Sequence, residues 1–478
     1  MAKASFTEGS IAATMLKTAF AMLASTLAMS GYNIVDTYFV GQIGGAEPLA
    51  AMGFTFPVIM FIGCIFHGFG TGCMATMAQA VGRKDGAEAK RLVTAGLQIL
   101  VLISLALAVI GVFTADYAFG AMGAQGYTLE LTKSYMNVWF LGCVTSALNM
   151  EGNKLLVSAG YPRISSGMTI FGMVINAVLD PLMIFGGETC HHHMLAHTFH
   201  FLHPVINLVM PLFHGFTAQN VRGAAIATVL SQMIASAVIL FILYKAHLLS
   251  FKPMKMRQLV DAGKIIFKYA IPATLGMLLF PISNYVTTWI TATFGDAMVA
   301  GMSASQKLEM VAFVFPMSFG ITLMPLIAQN YGAKLYSRVR FAFKFAVSVA
   351  FVFLSIAALV LLLFGHLIVP YLTPEPSVQR VMVKYMHIIP FGFAALEITR
   401  FGGFALVGCG HPVQDTVLKA VRILGIMLPL YFIVYFTHWQ PGIYYARLLT
   451  DLLGGAIFVI AAWRMITRLP KDGETPNT

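Results

Sequence analysis

Four side chains in this 478-residue chain have the types and spacing to hold a small cation or a proton: Asp36, Asn176, Asp180 and Thr228. Asp36 lies in NIVDTYFVGQ (33–42) and is the one formally charged residue between Lys17 and Glu47. A carboxylate at the centre of a membrane helix costs roughly 2.5–3.5 kcal/mol even on a lenient insertion scale. Asn33 and Asp36 are spaced i, i+3, and Asn176 and Asp180 i, i+4, so each pair shares a helix face. Pro181, directly after Asp180, predicts a kink near Asn176 and Ala177 that frees backbone carbonyls. Thr228 and Ser231 add hydroxyls to an otherwise apolar run. Carboxylates, amides and hydroxyls are hard oxygen donors that suit a sodium ion. Two carboxylates side by side also suit a shared proton, because like charges repel. Either ion gives a site whose charge can be switched.

Long apolar helices must carry these groups. The chain is 58% hydrophobic and 10% charged, with a mean hydropathy of +0.80, against about 25% charged in a soluble domain. Runs of about 20 apolar residues, each long enough to cross the hydrocarbon, recur from end to end. The pattern predicts an all-α polytopic membrane protein with twelve spans near 11–40, 48–80, 89–114, 129–158, 163–186, 220–244, 263–293, 297–330, 338–365, 377–407, 413–436 and 441–466. Lys and Arg gather after even-numbered spans, as in Arg83, Lys84, Lys90 and Arg91, then Lys252, Lys255 and Arg257, then Lys334, Arg338 and Arg340. Loops after odd-numbered spans carry Glu47, Asp116, Glu188, Asp296 and Glu375 with a stray Arg222. This asymmetry places both termini in the cytoplasm. It also accounts for the net charge of +11 without nucleic acid. The first apolar run lacks a convincing cleavage site and reads as a retained helix. The five cysteines form neither a CxxC pair nor a disulfide framework.

A shift of 250 residues aligns the chain with itself. GFGTGCMATMAQAVG (68–82) meets SFGITLMPLIAQNYG (318–332), and LLVSAGYP (155–162) meets ALVGCGHP (405–412). The chain therefore reads as a six-helix bundle over 1–244, a basic cytoplasmic linker over 245–262 and a second bundle over 263–478. Six spans is an even number, so the repeat axis runs along the membrane normal, as in transporters whose halves rock about a cleft. Asp36 falls on Val286, and Asp180, with a two-residue slip at the prolines, falls on Leu428. The scaffold is duplicated but these acids are not, which points to function rather than packing.

NIVDTYFVGQIGG with LAAMGFTFP, MAQAVGRKDGAEAKR, NAVLDPLMIFG and GAAIATVLSQ together resemble the multidrug and toxic compound extrusion (MATE) family, over essentially the whole chain. The likeness is nearer the bacterial DinF-like and MepA-like branches than the NorM-like one, because span seven (PATLGMLLFPISNYVTTWI, 272–290) has no acid. The resemblance implies a V-shaped antiporter of the bacterial inner membrane. Such a protein expels bulky, often cationic, amphipathic molecules in exchange for sodium ions or protons. It implies Asp36, Asn176, Asp180 and Thr228 as the coupling site and Tyr135 as a cavity residue. The lipid bilayer, the coupling ion and a small-molecule substrate are the expected partners, with no resident cofactor and a monomeric state.

Other groups have plainer readings. Glu309 stands beside Gln306 and Lys307, so a Lys–Glu neutralisation is expected there, with Asn33, Gln306 and Glu309 as further cavity candidates. Glu397 with Arg400, and Arg447 with Asp451, are spaced as helix-face ion pairs. Met- and Phe-rich stretches at 54–63 and 311–320 suit varied amphipathic cations. An insert at 188–215 holds seven of the thirteen histidines. In it His193, His197 and His200 share a helix face and could bind zinc, copper or nickel. Its HHHMLAH also resembles a histidine box of membrane oxidases, but no second box exists. A lipid-linked oligosaccharide flippase is the nearer rival; Lys419 and Arg422 are its best candidates for holding pyrophosphate. An enzyme is not expected.

Overall fold

The structure is a computed structural model; it describes residues 6–194 and 217–474, apart from the side chains of 30–34 and 187–194. Among the described residues all regular elements are helices: α1 (Ile11–Gly41), α2 (Glu47–Gly82), α3 (Gly86–Ala121), α4 (Gly126–Leu141), α5 (Cys143–Ser158), α6 (Pro162–Met194), α7 (Asn220–Lys245), α8 (Met256–Ala292), α9 (Asp296–Gly332), α10 (Tyr336–Leu372), α11 (Pro376–Ile388), α12 (Phe393–Gly408), α13 (Pro412–Ala420), α14 (Leu428–Thr437) and α15 (Gly442–Thr467). A 3-10 turn (Ile389–Gly392) joins α11 to α12, and a π-helical turn (Val421–Met427) joins α13 to α14. Ser10 and Asp85 cap α1 and α3 by accepting hydrogen bonds from Ala13 N and Glu88 N, filling donors that a helix start leaves open.

Eleven described helical stretches are long and apolar enough to cross a membrane. The remaining expected span, the fourth, is divided: α4 and α5 are 16 residues each and part at Gly142. Val229 of α7 fills the place where a Cβ on Gly142 would sit, so close helix packing accounts for the glycine. The second half repeats this device in register. α4 and α11 begin 250 residues apart, the breaks fall at Gly142 and Gly392, and α5 and α12 end at Ser158 and Gly408. Near Asn176 and Ala177, where a kink is expected, the backbone dihedrals stay helical. The helical backbone runs through Pro181, and the non-helical residue within α6 is Gly186, at φ 77°. A neighbouring helix that packs closely lets a proline stay within a membrane helix.

The two sets of helices meet along a seam near the ends that carry the basic loops. α2 lies along α8 and α9, and α1 along α9. A Cβ on Gly82 would overlap the backbone of Gln329, and a Cβ on Gly332 would overlap the backbone of Gln79. The amides that flank this contact cross it in both directions. Gln79 Nε2 donates to the Gly408 carbonyl at 3.0 Å, and Gln329 Nε2 donates to the Ser158 carbonyl at 2.6 Å. Each member of that set stands 250 residues from its counterpart, so the seam is a reciprocal two-fold contact. Thr18 bonds Thr322 (3.2 Å) and Thr26 bonds Ser318 (2.9 Å) further along it. Arg338 ties the segment before α1 to the second half through the carbonyls of Phe6, Glu8 and Gly9.

Cys409 beside this seam is 1% exposed. In a variant whose only thiol is Cys409, Gly82→Leu should wedge the seam and raise the rate of maleimide labelling severalfold. A labelling rate unchanged by the wedge contradicts a seam built on backbone contact at Gly82.

Candidate functional site

Within the first half, α1 packs along α6 and brings Asp36 and Asp180 within electrostatic reach of each other. They are 7% and 0% exposed. Asn176 Nδ2 donates to Asp180 Oδ1 at 3.1 Å, as the i, i+4 spacing requires. Three further oxygens, Asp36 Oδ1, Asn176 Oδ1 and Asp180 Oδ2, are buried without a hydrogen-bond partner among the described residues. A buried polar atom left unsatisfied costs about 1–3 kcal/mol, and more when charged. Neither carboxylate has an ion-pair partner among the described residues. Ala227 of α7 packs with Leu179 and Met183 of α6, which sets the buried Thr228 at the height of Asp180. Ser231 Oγ bonds back to the Thr228 carbonyl at 2.9 Å. This site thus gathers acceptors with no basic side chain paired to them among the described residues.

The second half has a polar centre of opposite character. Glu309 of α9 accepts from the Tyr385 hydroxyl of α11 and, at 2.8 Å, from Arg447 Nη2 of α15. Arg447 Nε donates to Asp451 at 2.8 Å, and Asp451 accepts from Arg422 Nη2 at 2.6 Å. Arg422 projects from the π-helical turn, and its stem lies where a Cβ on Gly454 would be. Two carboxylates and two guanidiniums balance within one buried network, the arrangement that lets charge survive away from water.

Against known proteins, the MatE family model matches residues 21–182 and again 272–433. The chain belongs to the MatE family. Among curated relatives, the MatE chain is 27% identical to a FAD transporter of Shewanella oneidensis over 98% of its own length and 97% of the relative's. It is 24% identical to the multidrug export protein MepA of Staphylococcus haemolyticus, over 98% and 96%. Its fold matches a mutant of the Vibrio cholerae MATE transporter VcmN with a TM-score of 0.84 and 22% identity, covering 95% and 97% of the two chains. It also matches a MOP superfamily transporter from Pyrococcus furiosus at TM-score 0.82, 20% identity, 98% and 99% coverage. This MatE chain is a multi-pass membrane transporter and not an enzyme.

Several sequence expectations for this MatE chain change. Lys307 does not neutralise Glu309: it is exposed, and residues two apart on a helix point to different sides. Arg447 takes that place from another helix. The pair Arg447–Asp451 exists but belongs to a network of five, while Glu397–Arg400 is the expected neighbour pair at 3.2 Å. Gln306 is exposed, whereas Tyr135 is buried at 4%. Sequence reasoning missed Tyr385, although it stands 250 residues after Tyr135 and could have been found by the repeat. The side chains of Asn33, His193, His197 and His200 lie outside the described residues, so the metal-binding reading of the insert rests on sequence alone.

Arg447→Met leaves Glu309 and Asp451 without their shared partner, and a broken buried pair costs about 3–5 kcal/mol. The thermal midpoint of purified protein should fall sharply, and Arg447→Met with Glu309→Gln and Asp451→Asn should recover most of the loss. An unchanged midpoint in the single variant contradicts the network.

Proposed function

We propose that this protein is a cation-coupled exporter of bulky amphipathic molecules that works by alternating access. The observation that carries the reading is the set of unpartnered oxygens of Asp36, Asn176 and Asp180, buried together in one half with no basic side chain paired to them. Such a set binds a proton or a sodium ion and is poorly stable without one. Thr228 stands at the height of Asp180 as a further oxygen donor. Occupation by the cation neutralises the acids, lets α1 settle against α6 and shifts the balance between the two arrangements of the bundles. A ligand moves a conformational equilibrium only through its different affinity for the two states, and a charge neutralised in one state supplies that difference.

The reading takes the two halves, 1–244 and 263–478, as the rocking units and 245–262 as their cytoplasmic linker. With both termini in the cytoplasm, as the basic loops indicate, the seam at Gln79 and Gln329 closes the inner side. The relatives differ in cargo, multidrug export in one case and FAD in another, and the Met- and Phe-rich stretches suit a broad amphipathic range. Export by a monomer in the bacterial plasma membrane completes the proposal.

The test is dye efflux in proteoliposomes with a proton or a sodium gradient imposed separately. Wild type should move a fluorescent amphipathic cation under one gradient, and Asp36→Asn or Asp180→Asn should lose at least most of that gradient-driven rate. Undiminished efflux by both variants sinks the coupling site, and efflux driven by neither gradient sinks the antiport reading.

A further inference from the structure

We propose that Lys154 and Lys419, one from each half, form a two-pronged site for the phosphate-bearing end of a cargo molecule at the floor of the cleft. The proposal deepens the transport reading and rests on it. Lys154 rises from α5 and its Nζ donates to the carbonyl of His67 on α2 at 3.0 Å. The same ammonium and the Glu151 carboxylate lie together beside the place where a Cβ on Gly70 would project. Lys419 rises from α13, with its Cδ and Nζ lying over Gly276 of α8. The stretches that hold them face each other across the seam: Thr274 packs on Gly68, and Cys64 Sγ reaches the Met277 carbonyl at 3.7 Å. His67 feels the charge of both lysines and is itself exposed. Ser158 and Gly408, which belong to the glutamine seam, lie one turn beyond Lys154 and four residues before the first residue of α13. The two ammoniums therefore sit just on the cleft side of the closed seam.

The burial of the counter-charges decides what this floor offers. Each lysine has a carboxylate on its own helix, Glu151 three residues before Lys154 and Asp415 four before Lys419. Both acids are 1% exposed, while both lysines are only partly buried. Lys419 pairs with Asp415 at 2.6 Å, which uses one of its three donors. Lys154 forms no ion pair within 4 Å among the described residues, and both oxygens of Glu151 lack a hydrogen-bond partner there. Both acids are thus buried, while the two ammoniums and the His67 ring keep some exposure. A molecule arriving at the floor meets positive charge and free N–H donors contributed by both halves. Charge-assisted hydrogen bonds from two points suit a phosphate, which has several acceptor oxygens to share between them. A ligand that bridges both halves also senses how far apart they stand.

Binding of riboflavin 5′-phosphate and of riboflavin, a fluorescent pair differing by one phosphate, to the full-length protein in nanodiscs tests the site. Wild type should bind the phosphorylated form more tightly by on the order of tenfold, and Lys154→Gln with Lys419→Gln should abolish that preference. Lys154→Arg with Lys419→Arg should keep it. Because removing Lys154 strips Glu151 of its nearest cation, Glu151→Gln with Lys154→Gln guards against misfolding, and it too should lower the preference. Equal binding of the two flavins by wild type, no binding of the phosphate ester at millimolar concentration, or a preference that survives the double Gln variant overturns the proposal. Nanodiscs with and without phosphatidylglycerol separate cargo from lipid: a preference suppressed by the anionic lipid assigns the lysines to a headgroup and counts against cargo. Gradient-driven dye efflux by wild type reports on the transport reading separately, so the two can fail independently.

Discussion

The contact on which the rest of this molecule depends is the approach of two backbones at Gly82 and Gln329, and again at Gly332 and Gln79. No side chain larger than hydrogen fits at either glycine without displacing main chain. The seal is then finished by two amide hydrogen bonds to carbonyls of the opposite half. Neutral hydrogen bonds contribute only about 1 kcal/mol each, and flat backbone contact has no interlocking side chains to unpick. On the proposed alternating-access reading, a seam of that kind closes one face while its opening stays within reach of an ion or a cargo. Salt bridges across the same surface would bind each half to a fixed partner and leave buried charge behind on separation.

Around that symmetric seam the polar interiors are unlike. The first half concentrates Asp36, Asn176 and Asp180 with acceptors left over, while the second half balances Glu309 and Asp451 against Arg422 and Arg447. The network balances its charges and ties α9, α11 and α15 to the π-helical turn. The acidic set leaves oxygens without a partner among the described residues, and on the proposed reading an ion or proton supplies what is missing. On the proposed reading one half is the rigid partner and the other the half whose charge changes. Duplication built the scaffold, and divergence of a few residues gave each copy its task.

Much of this was legible in the sequence, and what was not has identifiable causes. The 250-residue register is written in identical residues such as Gln79 and Gln329, and it survives into helix starts, breaks and ends. The i, i+4 bond of Asn176 to Asp180 follows from helix geometry alone. The division of span four at Gly142 was hidden, because an apolar run of that length reads as one helix and the close contact with Val229 comes from a distant span. The same blindness covers Arg422, Glu309 and Tyr385, whose meeting depends on how α9, α11 and α15 pack. The proline signal at Pro181 gave no hint of Gly186, where the α6 backbone leaves helical geometry. The floor lysines carry no motif at all. Only burial separates the acids from the ammoniums beside them.

The central claim, that the unpartnered acids of the first half hold the coupling ion, is tested most directly by ion binding without transport. Purified protein in nanodiscs can be titrated with radioactive sodium at fixed pH, and with acid in sodium-free buffer, for wild type and for Asp36→Asn with Asp180→Asn. The account predicts that wild type takes up one ion or proton that the double variant does not, and that amphipathic cargo displaces it. Identical uptake by the two proteins in both titrations contradicts the account.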